Sequence, residues 1–345
     1  MNSFGNTPSQ NNWIFSNQSQ VESLLNEMRG NLFEYLFAKN LANHFKILEK
    51  FERGINSELS DQFRIYQTHI LQHFPDLPQK LLGLAEQAVG KFHEHRSILP
   101  DEVSDIQVVG KVTGQAKESQ EADILLYEAP GNICLGISLK MMHVRGYVNT
   151  KSGGAQSFVE KYFQSITGVE NYHDRFLDSV QSNYEQIVQK TCQILDIPTA
   201  SISNGEWKNY LESRLPGQQP PEVREQIHLG YNKMILSLYE VFKEMHTAEP
   251  VQFKSCLTQL FGMTGANNVS VMCYYSKDYN LDDLDILTKD QLEKELEDLE
   301  IQAEAPEKSS FTINTPKYSL QVRIKPMNEF TVPSYKINCS VKKIG

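Results

Sequence analysis

The sequence is short of the features that mark several large functional classes. No stretch approaches the run of about 20 apolar residues that a membrane helix needs, and the mean hydropathy is −0.44. No cationic start leads into an apolar run. Met1 to Gln20 is rich in Asn, Ser and Gln instead, which predicts a loose polar tail rather than a leader. Five cysteines stand at positions 134, 192, 256, 273 and 339, and no two are spaced CxxC. Neither a zinc site nor a redox pair is therefore indicated. The odd count predicts reduced thiols in a cytoplasmic protein. There is no GxSxG, no GxxxxGK[ST] and no GxGxxG opening a helix after a strand. Serine hydrolases, P-loop enzymes and dinucleotide enzymes are thereby disfavoured. His69 and His73 are four apart, but within His-Ile-Leu-Gln-His, which lacks the glutamate of a zincin.

What is present is an ordinary globular composition, 345 residues at 40% apolar, enough for one large domain or two medium ones. The net charge of −10 is unevenly spread. Twelve acidic residues lie between Asp278 and Glu307 against only Lys289 and Lys294, so the rest of the chain sums to zero. A neutral body can still hold a nucleic acid through a local basic groove, because binding follows the local field.

Periodicity divides the chain. Leu24, Leu25, Met28, Leu32, Phe33, Leu36, Phe37 and Leu41 recur at helical spacing and predict a helix over 21–54, nicked near Gly30. Further helices are predicted over 57–73, closed by Pro75 and Pro78, and over 79–95. The pattern then turns to strands over 106–112, 122–127 and 133–142, the last two joined through Ala129-Pro130-Gly131-Asn132 as a hairpin. A glycine-rich loop containing Ser152-Gly153-Gly154 leads to a helix over 155–167. Helices over 175–195 and 222–246 follow. A short strand over 269–275, an acidic helix over 284–303, and paired strands over 310–324 and 334–344 close the chain. The expected fold class is α+β. Its expected organisation is a polar tail over 1–20, a core over 21–171, a helical insertion over 172–265, and C-terminal strands with the acidic helix over 266–345.

Chemistry concentrates in the hairpin. Strand side chains alternate faces, so Ile137 and Leu139 point into a core while Ser138 and Lys140 point the other way. Asp123 opens the partner strand. A carboxylate and an ammonium are thereby brought together, as phosphodiester hydrolysis requires. The carboxylate can hold Mg²⁺, a hard cation that keeps several waters. The lysine can orient or deprotonate a water, or stabilise charge building on the phosphate.

Asp123 followed by Ser138-Leu139-Lys140 on a strand–turn–strand resembles the PD-(D/E)xK phosphodiesterase superfamily, which includes many type II restriction endonucleases. Val112-Thr113-Gly114-Gln115-Ala116-Lys117-Glu118, leading into Glu121-Ala122-Asp123, resembles the strand feeding that hairpin. Arg29-Gly30-Asn31-Leu32-Phe33-Glu34-Tyr35-Leu36 is similar to the family's first core helix. The resemblance spans roughly 22 to 170. It implies a central mixed β-sheet flanked by helices, with a helical insertion and a C-terminal β-pair. It also implies an endonuclease acting on double-stranded DNA with Mg²⁺, for which Mn²⁺ can substitute, and a possible homodimer. A monomeric mass in solution would count against the dimer. Asp123 would bind metal, Lys140 would act on water or phosphate, and Glu34 would bind metal from the helix. The chain departs from the pattern at Ala122, where a proline is usual, and at Ser138, where an acidic ligand is expected. Glu160, on the helix after the hairpin, is the alternative source of that carboxylate, and Glu121 lies nearby.

After Lys140 come Arg145, Asn149, Lys151 and Gln156. Between Lys140 and Arg175, counting both, five Lys or Arg face three acidic residues. A glycine-rich loop before a helix suits a phosphate, and Asn, Gln and Arg can read base edges. These four are the expected nucleic-acid contacts; an ordinary connector is the plainer alternative. Two other readings stay open. One is an inactive nucleic-acid-binding or assembly protein retaining the fold, motivated by Ser138. The other is a helical interaction protein that offers its acidic helix to a basic partner.

Overall fold

The computed structural model describes residues 18–55, 57–95, 97–109, 122–143, 146–263, 265, 267–303, 308–327 and 329–344. Of the polar tail expected over 1–20, residues 1–17 lie outside the described residues, as do 110–121, with the Val112 to Glu118 segment and Glu121, and Arg145; residues 18–20 are not tail but the start of the first helix.

Four helices open the fold: α1 (Gln18–His44), α2 (Leu48–Gly54), α3 (Ser57–His73) and α4 (Leu77–His93). Met28, Leu32, Phe33, Phe37 and Leu41 make the buried stripe of α1, at the three- and four-residue intervals that bring side chains to one face. The helix expected to run to Gly54 is broken after His44, where Lys46 takes a left-handed φ of 59° and turns the chain into α2. Gly30 lies inside α1 and does not interrupt it. Pro78 sits in the first turn of α4, where its missing N–H costs no helical bond.

Next come β1 (Asp105–Val108), β2 (Ile124–Ala129), β3 (Asn132–His143) and β4 (Val148–Gly154). The helical region contains α5 (Ala155–Phe163), α6 (Val169–Ile194), α7 (Ala200–Ser203), α8 (Pro221–Ala248) and α9 (Pro250–Leu260). The chain closes with β5 (Asn268–Tyr275), β6 (Leu281–Thr288), α10 (Lys289–Glu295), β7 (Glu300–Ala303), β8 (Ser310–Asn314), β9 (Tyr318–Pro326) and β10 (Tyr335–Lys343). The fold is α+β, and the described residues form two five-stranded sheets.

The first sheet has the order β1-β2-β3-β5-β6 and is mixed: β3 and β5 run parallel, and the other pairs are antiparallel. The expected hairpin is present, turning at Gly131 with φ 79°. The second sheet has the order β4-β10-β9-β8-β7, all antiparallel. The expected terminal strand pair is therefore part of a larger sheet.

Two further expectations are corrected. The Ser152-Gly153-Gly154 segment is not a loop but the end of β4, held by its ladder to β10. The acidic run is not one helix: β6, the short α10 and β7 divide it, with Thr288 forming a capping box with Gln291 at the start of α10.

The first sheet is the wall between two hydrophobic cores. Ile124, Ile137, Leu139, Val271, Cys273 and Ile286 pack against α1, α3 and α4. Met142, Met272, Tyr274 and Leu287 face a second core, filled by α5, α6, α8, α9 and the inner side of the second sheet. Among the described residues, no helix is long and apolar enough to cross a membrane.

Candidate active site

The β2–β3 ladder stops at Ile124 opposite Ile137, while β3 runs on to His143. Beyond that point β3 keeps its parallel partner β5 but loses β2. Asp123 stands where the ladder ends, its own N–H donating to the Ile137 carbonyl at 2.8 Å. Its Oδ2 accepts the Leu139 backbone N–H at 2.7 Å and the Lys140 ammonium at 3.0 Å. The carboxylate thus replaces the acceptor that a longer β2 would supply, and a backbone donor is satisfied that burial would otherwise penalise.

Lys140 and Asp123 are partly shielded, with side-chain exposures of 20% and 24%. Burial works to lower the Lys140 ammonium. The Asp123 and Glu34 carboxylates, with the Asp123 hydrogen bond, outweigh it and hold the lysine above its ordinary value. Glu34 comes from α1, whose buried neighbours Leu32, Phe33 and Phe37 lock the helix onto the sheet. Two carboxylates from elements far apart in sequence therefore bear on one ammonium.

Ser138 is buried at 4% exposure, paired across the parallel ladder with the equally buried Ser270. Its Oγ reaches Asp123 Oδ2 only at 3.5 Å, the outer edge of a hydrogen bond.

The remaining expected site residues lie on other surfaces. Glu160, half exposed on α5, stands 3.8 Å from His173 Nε2 on α6. It is not among the charges acting on Lys140. Asn149, on β4, accepts a hydrogen bond from Ser340 Oγ at 2.7 Å. Lys151 lies opposite Cys339, a residue of the second core, and its stem turns inward with that thiol. Burial, then the neighbouring Lys161 charge, brings the Lys151 ammonium down to about 8. Gln156 is exposed in the first turn of α5. The structure thus gathers Asp123, Ser138, Lys140 and Glu34, and places Asn149, Lys151 and Gln156 along the β4–α5 edge.

Other contacts near the lysine strand had no signal in the sequence pattern. His143, at the end of β3, meets Tyr275 edge-on at 5.8 Å between ring centres. Tyr275 stacks on Tyr279, whose hydroxyl accepts from Arg29 of α1 at 3.0 Å. The His143–Tyr275 and Arg29–Tyr279 contacts join residues more than a hundred positions apart, beyond the reach of local spacing.

Among the described residues no group of three or more His, Cys, Asp or Glu is arranged to hold a metal. The Asp123 and Glu34 carboxylates, which both act on Lys140, would offer a smaller, all-oxygen donor set. That chemistry fits Mg²⁺, which needs only one or two carboxylates when water and phosphate complete its shell. It does not fit zinc, which prefers nitrogen and sulfur in a closed site.

The chain matches no protein-family model, no curated protein and no solved structure.

Proposed function

We propose that this protein is a Mg²⁺-dependent DNA endonuclease with a restriction-endonuclease-like core. Asp123, Lys140 and Glu34 form its reacting centre. The observation that carries this reading is the convergence of Asp123 and Glu34 on Lys140 at the open end of a hairpin. A mixed sheet flanked by helices, as the resemblance implies, supports it.

In this reading Asp123 and Glu34 would hold Mg²⁺, or Mn²⁺ in its place. The ion would polarise the scissile phosphate and acidify an attacking water. Lys140 keeps its proton at neutral pH, because its two carboxylate neighbours raise its pKa. It therefore serves as a fixed positive charge against the phosphorane-like transition state and not as the general base. Asp123 holds that ammonium in place through Oδ2 and is itself oriented by the Leu139 N–H. Ser138 supplies no carboxylate, so the site works with two where three would bind metal more tightly.

A second reading is an inactive nucleic-acid-binding protein. It is favoured by the same Oδ2 geometry, which would also serve simply to close the end of a strand ladder.

The test is incubation of long, sequence-diverse duplex DNA with Mg²⁺, with Mn²⁺ and with EDTA. Discrete fragments that require the metal are expected. Lys140→Ala should slow cleavage by about 10²–10³, the loss typical of one transition-state charge contact. Asp123→Ala should abolish cleavage and keep DNA binding. Retained DNA binding with no cleavage under either metal would replace this reading with the inactive one.

A further inference from the structure

The outer side of the second sheet is unlike the rest of this acidic chain. Burial alternates along β10, and residues 337, 339 and 341 go to the core. The opposite side carries Lys336, Asn338, Ser340 and Lys342. Their register partners on β9 are Lys325, Arg323, Gln321 and Ser319. Asn149 and Ser152 of β4 continue this face on one side, and Thr312 and Asn314 of β8 on the other. The described residues of β4, β8, β9 and β10 include no carboxylate. Glu300, on the far edge strand β7, is the nearest acidic position in the sheet.

Four cations thus share one face of two adjacent strands in a chain of net charge −10. Among the described residues, Arg323, Lys325, Lys336 and Lys342 form no ion pair with a carboxylate. Lys325 and Lys336 stand directly opposite each other, where like charges repel. Burial, then the charges of Arg323 and Lys336, lowers the Lys325 ammonium, as expected of a cluster without internal neutralisation. Lys342 lies 5.6 Å from the centre of the exposed Tyr147 ring, and that tyrosine's hydroxyl meets Ser319 Oγ at 3.4 Å.

We propose that this outer face of β10 and β9 is a docking surface for the phosphate backbone of a DNA duplex, separate from the Asp123–Lys140 centre. The choice of DNA as the polyanion rests on the proposed function; the surface itself rests on its charge. Alternate residues on a strand are about 6.8 Å apart, so Lys336 and Lys342 span about 20 Å. Duplex DNA offers one negative charge per about 1.7 Å of axis over such a length. The hydroxyls and amides between the cations are the groups that accompany Lys and Arg in backbone contacts. A lipid surface fits less well, because the side chains between the cations are polar rather than apolar wedges.

The test measures binding of the full-length protein to a labelled duplex of about 30 base pairs, in EDTA, between about 50 and 200 mM salt. Four phosphate contacts predict a slope of log K against log salt of about −3 to −4. The quadruple variant Arg323→Gln, Lys325→Gln, Lys336→Gln, Lys342→Gln should bind at least about tenfold more weakly, with a markedly flatter slope. Its circular dichroism should stay as in wild type and its melting temperature should be unchanged or higher, since the change relieves repulsion. If that variant fails to fold, Arg323→Glu alone, on an exposed side chain, should weaken binding severalfold. Unchanged affinity and slope in the folded variant would overturn the proposal. So would binding to phosphatidylserine vesicles but not to duplex. Because EDTA suppresses hydrolysis, the two readings fail separately. Binding lost in the variant, with no cleavage by wild type, keeps the surface and removes the nuclease. Cleavage that ignores these substitutions does the reverse.

Discussion

Asp123 satisfies a backbone N–H and a partly buried ammonium with one oxygen, so its stability effect should be separable from any effect on the proposed cleavage. Asp123→Ala removes the acceptor and leaves both donors without it, which should cost about 2–4 kcal/mol. Asp123→Asn keeps a carbonyl for the Leu139 N–H and should cost less. Equal denaturant midpoints for the two variants would show that the N–H contact contributes nothing. Lys151 makes the opposite case. Its folded value near 8 lies below its ordinary 10.5, so the unfolded chain binds the extra proton between those values. Wild-type stability should therefore gain with rising pH across that window. Lys151→Met should stabilise the protein at pH 7 by about 1–3 kcal/mol, and that advantage should shrink as pH approaches 10.5. An advantage that stays constant over the same range would contradict the burial of this charge. Lys140, whose value is raised, should show the reverse trend: its contribution is complete at neutral pH and is lost only as pH climbs through its folded value.

At the scale of elements, the start of the β3–β5 pair is the tightest junction near the site. The Gly136 N–H donates to the Asn267 carbonyl at 3.0 Å. A Cβ at position 136 would press on the Asn268 side chain and come 3.1 Å from Ala122 Cβ, next to Asp123. Gly136→Ala should therefore cost about 1–3 kcal/mol and disturb the Asp123–Lys140 geometry as well. Gly30→Ala, in open space within α1, should be neutral or stabilising by about 1 kcal/mol. Thermal melts of the two variants check the contrast. Elements with strong local periodicity were legible in sequence: α3 spans the predicted 57–73, and the β2–β3 hairpin turns where the Pro-Gly-Asn segment predicted. Asp123 beside Lys140 followed from that hairpin alone. β4 was not legible, because Val-Asn-Thr-Lys-Ser-Gly-Gly has no strand pattern of its own and is extended by pairing with β10, nearly two hundred residues away. The acidic run misled in a similar way. Its charges read as a solvated helix, yet Asp283 and Asp285 of β6 hold Lys343 of β10 at 2.9 and 3.8 Å. The hydrogen bond from Lys343 keeps Asp283 below the ordinary carboxylate range. Glu34 entered through family resemblance rather than spacing, and the His173 partner of Glu160 is a tertiary contact that no spacing predicts.

At the scale of the whole molecule, the first sheet ties two cores together. Phe37 is fully buried among the N-terminal helices, and Phe242 is fully buried on the other side, against Phe163, Phe253 and Phe311. Alternate residues of β5 serve both: Val271 and Cys273 pack with the first core, Met272 and Tyr274 with the second. A strand that loses its packing on one side also loses the rigidity it offers the other, so the cores should unfold together despite the length of the chain. Phe37→Ala and Phe242→Ala should each cost about 3–5 kcal/mol, and each should lower one common transition. Calorimetry of both variants is the check, with hydrogen exchange of β3 and β5 as a second probe. Two endotherms, with each substitution moving only its own, would mean that the sheet does not couple the cores. The coupling bears on the site directly. Asp123 and Lys140 depend on β3 keeping its place between β2 and β5, and Glu34 on α1 keeping its place on the sheet. A cavity at Phe242, on the far side from α1, should therefore also weaken the proposed cleavage under conditions where the variant is still mostly folded.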